Sequence, residues 1–148
     1  MSPDSQPVSS VGAIEYSAET PPPADFVRLF RSSGWTEAFD VPEERLVASL
    51  PSAWYGVCAR LDGEVVGAGL VLSDGNLHAL IVDVIVVPEL RGQGIGTEIM
   101  HRLVARCQEA GILQTQLFSA RGKRRFYERL GFVARPDDGP GMELGEVR

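Results

Sequence analysis

Between Val82 and Thr97 the chain reads Val, Asp, Val, Ile, Val, Val, Pro, Glu, Leu, Arg, Gly, Gln, Gly, Ile, Gly, Thr. A β-rich apolar run stops at Pro88, and glycines at 92, 94 and 96 then open an amphipathic helix. Glycines let a backbone approach an anion closely, and the first turn of a helix presents unpaired N–H groups with a partial positive charge. Arg91 and Thr97 place polar donors at the two ends of the loop. The segment therefore reads as a phosphate cradle. No lysine follows Gly96, which excludes a Walker loop. Counted from Gly92, the sixth position is Thr97, so the dinucleotide fingerprint fails as well.

Arg91, Gly94 and Gly96 follow the pattern Arg or Gln, two residues, Gly, one residue, Gly or Ala. In this they resemble the acetyl-CoA loop of the GNAT superfamily of N-acetyltransferases. Val86 and Pro88 before the loop, and Phe126, Tyr127, Glu128, Arg129, Leu130, Gly131 and Phe132 after it, resemble the flanking segments of the same family. The resemblance spans roughly residues 14 to 144. It implies a single-domain α/β (α+β) fold with a mixed sheet, an antiparallel meander followed by a parallel βαβ unit, and helices on both faces. It also implies transfer of an acetyl group from acetyl-CoA to a primary amine, small-molecule or protein-borne, through a tetrahedral intermediate. Backbone groups of Val84, Ile85 and Val86 would pair with the pantetheine arm, and Arg91, Gly92, Gln93, Gly94, Ile95, Gly96 and Thr97 would receive the pyrophosphate. The Val86 N–H would hold the oxyanion, and Tyr127 would protonate the departing thiolate as general acid. No metal enters this chemistry.

The base is less plainly written. A simple alkyl amine is neutral only about once in several thousand molecules at pH 7, a cost of roughly 4 to 5 kcal/mol. Family members often place a glutamate two or four residues upstream of the site matching Val84, where this chain has Val82 and Leu80. The remaining candidates are Asp83 and His78. Strict strand alternation points Asp83 away from the face of Leu80 and Val82 unless a bulge intervenes, whereas His78 shares their parity. His101 should be exposed on its helix. The missing glutamate keeps a second function class open, a non-catalytic acyl-CoA-binding regulatory module acting through a protein partner.

Composition narrows the partners. The first ninety residues carry thirteen acidic and four basic side chains, the remainder seven and ten, and the whole is −6. An acidic chain disfavours general nucleic-acid binding, which depends on neutralising phosphates. The basic residues concentrate at Arg121, Lys123, Arg124, Arg125 and Arg129, and Lys123 is a candidate contact for the nucleotide end of the coenzyme. No apolar run reaches the length of a membrane span and the first twelve residues lack a signal-peptide core, so a cytoplasmic location is expected. Cys58 and Cys107 read as buried reduced thiols. Trp35, Glu37, Asp40, Glu43 and Glu44, with Trp54 and Tyr55, could attract a cationic amine, although a solvated acidic face and core aromatics explain them equally well. Nothing in the sequence speaks against a homodimer.

The elements that must position these residues follow from periodicity. Residues 1–13 read as a disordered tail ahead of one domain over 14–148, with a first strand at Ile14–Tyr16. Thr20–Pro23 suits a helix start, and Gly34 closes that helix. A second helix should start near Pro42, with Asp40 as its cap, and end before Pro51. Three β-rich runs at 54–61, 64–73 and 77–87 are joined by Asp62, Gly63 and by Asp74, Gly75. A helix over about 94–110 presents Ile95, Ile99, Leu103, Val104 and Cys107 on one face. Then come a strand at 114–119, a helix at 123–130, and short strands at 132–134 and 142–144.

Overall fold

The computed structural model describes residues 12–34 and 40–145. The expected disordered stretch before residue 12, and Trp35 and Glu37, lie outside the described residues. The chain forms two compact units, Met1–Gln116 and Leu117–Arg148.

The first unit is built on a sheet of five strands in the order β1-β2-β3-β4-β5, namely Glu15–Ser17, Tyr55–Leu61, Glu64–Ser73, His78–Val86 and Gln114–Leu117. The first three pairings are antiparallel. β5 returns through a helix to lie beside β4, with the Gln114 N–H donating to the Leu77 carbonyl at 2.9 Å, so the sheet is mixed, as the expected fold class requires. Asp62 and Gly63 make the two-residue turn between β2 and β3, with φ of 50° and 82°, the left-handed pair that matches strand twist. The β3–β4 loop is longer and is held by Asp74. Its Oδ1 accepts the N–H groups of Asn76, Leu77 and His78 at 2.8, 2.7 and 3.2 Å, bonds that hold the carboxyl below the usual aspartate range.

Helices cover both faces. α1 (Pro23–Ser32) and α2 (Glu43–Ser49) lie on one. Phe26, Val27, Leu46 and Leu50 pack there with Leu70 and Val82, and Leu29 packs with Cys58, Val65, Ala68 and Ile85. α2 begins at Pro42 with no side-chain cap, so Asp40 does not cap it; Glu43 and Glu44 supply the negative charge its first turn favours. α3 (Ile95–Glu109) lies on the opposite face. It sits close to β3 because Gly67 and Gly69 form the floor beneath it. A Cβ on Gly69 would come within 2.8 Å of Ile99 Cγ2 and Leu103 Cδ1. Of the expected apolar face, Ile95, Ile99, Leu103 and Cys107 are buried and Val104 is half-buried. Met100 is fully buried instead, completing the spacing 100, 103, 107. Both cysteines are free and buried, and burial pushes the Cys58 thiol up to about 11.

The second unit contains α4 (Arg124–Arg129). It stops at Gly131, where the Gly131 and Phe132 N–H groups return to the Glu128 and Tyr127 carbonyls at 3.0 and 3.1 Å. Residues 132–134 and 142–144 form no strand, contrary to expectation. Val133, Met142 and Leu144 are 88%, 84% and 89% exposed. Each apolar run is only three residues long, and prolines at 136 and 140 with glycines at 139 and 141 interrupt any extension.

The seat of α3 yields a stability prediction. Gly69→Ala should lower the free energy of unfolding by about 1–3 kcal/mol through overpacking, measured as a lower urea midpoint at unchanged slope.

Candidate active site

The residues singled out in β4 are organised by a break in its ladder. Ala68 pairs with Ile85 and Leu70 with Val82, so Gly69 alone faces both Asp83 and Val84. Asp83 adopts φ 52°, one of only two described non-glycine residues at positive φ. This is a β-bulge, and it reverses the alternation of the strand. Val82 packs with the α1–α2 cluster before it, and Ile85 and Val87 pack with the cluster around Leu29 of α1 after it. The parity argument against Asp83 therefore does not hold. Glycines at 67 and 69 inside the apolar β3 run, and an aspartate inside the apolar β4 run, are the marks it leaves in the sequence.

Beyond the bulge the backbone of β4 turns its polar groups outward. The Val87 N–H donates to Val66 at 2.9 Å, so the neighbouring pair, Gly67 and Val86, is a non-hydrogen-bonded one. By alternation the Val86 N–H and C=O point away from β3. β5 is four residues long and starts level with Leu77, so it ends at about the level of Leu80. Hence the Val84–Val86 edge extends past its neighbour. The Val86 carbonyl accepts the Arg91 Nε at 3.1 Å, and Arg91 Nη2 reaches the Ser32 carbonyl at 3.3 Å. Sequence reasoning offered Arg91 as a phosphate donor; here its guanidinium is bonded to the protein's own backbone.

The glycine loop then delivers an open helix end. After a short 3-10 turn at Pro88–Leu90, Gly92 and Gly94 take φ 80° and 85°, and Gly94 caps α3 with no side-chain hydrogen bond. The first helical bond is from Glu98 N–H to the Gly94 carbonyl, so the N–H groups of Ile95, Gly96 and Thr97 have no carbonyl within the helix. A Cβ on Gly92 or Gly94 would meet nothing within 4 Å, and Gly92, Gln93 and Gly94 are all exposed. Space, free donors and the positive end of a fifteen-residue helix coincide, and this donor set fits a pyrophosphate.

Two carboxylate and imidazole candidates separate by position. His78 is exposed at the start of β4, eight residues and about 26 Å of strand from Val86. Asp83 is half-buried, three residues from Val86, and burial alone raises its carboxyl above the usual value of 3.8. Among the described residues no hydrogen bond or ion pair holds it. His101 is exposed on α3.

Trp54 and Tyr55 are already engaged. Arg106 of α3 lies 4.8 Å from the Trp54 ring and 5.9 Å from that of Tyr55. Arg106 is twelve residues, about 18 Å of helix, from Gly94, so the two rings sit at the end of α3 remote from the loop. Asp40, Glu43 and Glu44 are exposed. In the second unit Tyr127 is half-buried on α4 between Phe126 at 5.0 Å and Phe132 at 6.4 Å, and burial raises its hydroxyl above 10. Lys123 is exposed at the start of that helix.

The environment of Asp83 sets a pH dependence. Its folded-state pKa is raised, so the contribution of the neutral carboxyl is full below the ordinary aspartate range and is lost as pH rises through the raised value. Asp83→Asn, which tolerates the left-handed φ, should be more stable than the parent at pH 7, with the difference vanishing in acid; urea melts at both pH values measure it. Gly94→Val should abolish calorimetric coenzyme A binding, because φ 85° is closed to a β-branched residue.

Comparison with known proteins agrees with this geometry. The family model described as Acetyltransferase (GNAT) family matches residues 23–132. The chain is 36% identical over 78 residues to the N-acetyltransferase ycf52 of Porphyra purpurea, itself described as uncharacterized, covering 53% of this chain and 45% of that protein. It is 35% identical over 86 residues to the chloroplastic serotonin N-acetyltransferase 2 of Oryza sativa subsp. japonica, covering 58% and 43%. Each match spans less than half of the curated relative. A solved GNAT-family acetyltransferase of Streptococcus pneumoniae aligns with a TM-score of 0.78 at 25% identity, over 92% of this chain and all of that one. A bulged strand with an outward N–H, an uncapped glycine-led helix and this family match lead to one assignment: the chain belongs to the GNAT family of acetyltransferases.

Proposed function

We propose that the protein transfers the acetyl group of acetyl-CoA directly to a primary amine. The observation that carries this reading is the run from Asp83 to Thr97, which sets a partnerless carboxyl, an outward backbone N–H and an open helix N-terminus in succession along fifteen residues. Gly92 to Thr97 would hold the pyrophosphate through main-chain donors, and the Val84–Val86 edge would pair with the amide-bearing arm. Acetyl-CoA supplies the thioester carbonyl and the thiolate leaving group; the rest is done by the chain. The Val86 N–H donates to the oxygen that becomes negative as the amine adds.

Asp83 is the base of choice over His78. Its raised carboxyl pKa makes the ionised form a better proton acceptor at neutral pH, and it would take the proton directly or through water. Tyr127, a phenol protonated at neutral pH whose pKa burial raises further, would be the residue that gives the thiolate its proton. The acceptor is an amine that releases one proton on acetylation. Relatives named for serotonin and, in Glycine max, for histone acetylation define the first two classes for a panel.

Calorimetry with coenzyme A and a thiol-release assay across amines that include serotonin and a histone-tail peptide test the proposal. Binding with turnover on at least one amine is expected; absence of coenzyme binding would overturn it, and binding without turnover on any amine would point to a non-catalytic acyl-CoA module. Asp83→Asn should lower kcat by about 10²-fold and remove the acidic limb of the pH profile. Tyr127→Phe should lower kcat by about tenfold or more and leave coenzyme affinity near the parent value.

A further inference from the structure

Arg91 occupies the loop position from which a phosphate contact is expected, yet its side chain is committed elsewhere. Nε donates to the Val86 carbonyl at 3.1 Å, and Nη2 to the Ser32 carbonyl at 3.3 Å. Ser32 is the last residue of α1, whose final carbonyls have no helical donor and carry the negative end of the helix dipole. One guanidinium thus ties the end of β4 to the end of α1.

The Val86 carbonyl and the Val87 N–H belong to one peptide group. The N–H is anchored in β3 at Val66, and Arg91 anchors the oxygen on the opposite side. In a continuous sheet the next strand would satisfy that oxygen, but β5 ends some six residues short of this level. Arg91 stands in for the missing strand. Within an extended residue the N–H and C=O point the same way, so fixing the Val86 carbonyl also fixes the direction of the Val86 N–H.

We infer that Arg91 is a positioning residue that holds the Val86 peptide for oxyanion stabilisation, rather than a ligand of the coenzyme phosphates. The inference rests on the acetyl-transfer reading for its catalytic consequence, but the clamp itself is a property of the fold. A forked guanidinium sets two donors towards carbonyls on different elements; lysine, a single ammonium on a flexible stem, lacks that rigid fork.

Arg91→Ala and Arg91→Lys, compared with the parent by hydrogen–deuterium exchange without coenzyme, read the clamp directly. The amides of Ile85 and Val87, which face β3, should exchange about tenfold faster in the alanine variant and by a smaller factor in the lysine variant, with unchanged exchange in β2. In steady-state assays with the most active amine of the panel, kcat should fall about tenfold or more in the alanine variant while the coenzyme A dissociation constant stays within about threefold. Lysine should recover only part of the loss. Unchanged exchange at Ile85 and Val87 would overturn the inference. So would a coenzyme affinity weakened tenfold or more with kcat retained, the signature of a phosphate ligand. If the parent protein transfers no acetyl group, the acetyl-transfer reading fails by itself and the exchange data still decide the clamp.

Discussion

Two demands meet at Gly69. On one side it must leave room for Ile99 and Leu103, because α3 rests directly on the backbone of β3. Along the sheet it must face two residues of β4 at once. A side chain there would lift the helix whose N-terminus forms the loop site, and would crowd Val84, whose Cγ2 lies 3.3 Å from the same imagined Cβ. The depth of α3 and the bend of β4 are therefore set by one missing methyl group. Everything functional in the first unit hangs from those two placements.

Little of the coenzyme site is made of side chains. Gly92 to Thr97 offer amides, and the far half of β4 offers an edge that β5 is too short to cover. Side chains are reserved for the proton problem and for bracing. Asp83 is kept from forming an ion pair, so it retains its full appetite for a proton, and it holds a backbone conformation that aspartate tolerates better than most residues. The aromatic pair Trp54 and Tyr55, by contrast, serves the fold: their rings carry Arg106 and secure the opposite end of α3.

The meander, the crossover helix and the glycine loop were legible because each has a local cause. Asp62-Gly63 demands a left-handed two-residue turn, three spaced glycines before an apolar stripe demand a helix start, and β-branched runs demand strands. The bulge was not legible by the same route, since it is a register event shared between Gly69 and Asp83, fourteen residues apart. Arg91 illustrates a second limit: its motif gives the residue type, but the bond to Ser32 joins positions 59 residues apart in the chain. The failed strands at 132–134 and 142–144 show a third, because three apolar residues are a strand only where a partner edge exists to receive them.

The start of α3 is left without the cap that most helices build for themselves. A serine or aspartate cap, which needs ordinary extended backbone where Gly94 takes φ 85°, would return roughly a few tenths of a kcal/mol relative to glycine, and its side chain would occupy amides that now stand open. The chain forgoes that stabilisation. Its loop is consequently the part of α3 with the most to gain from an arriving anion, so that recognition and local folding become the same event there.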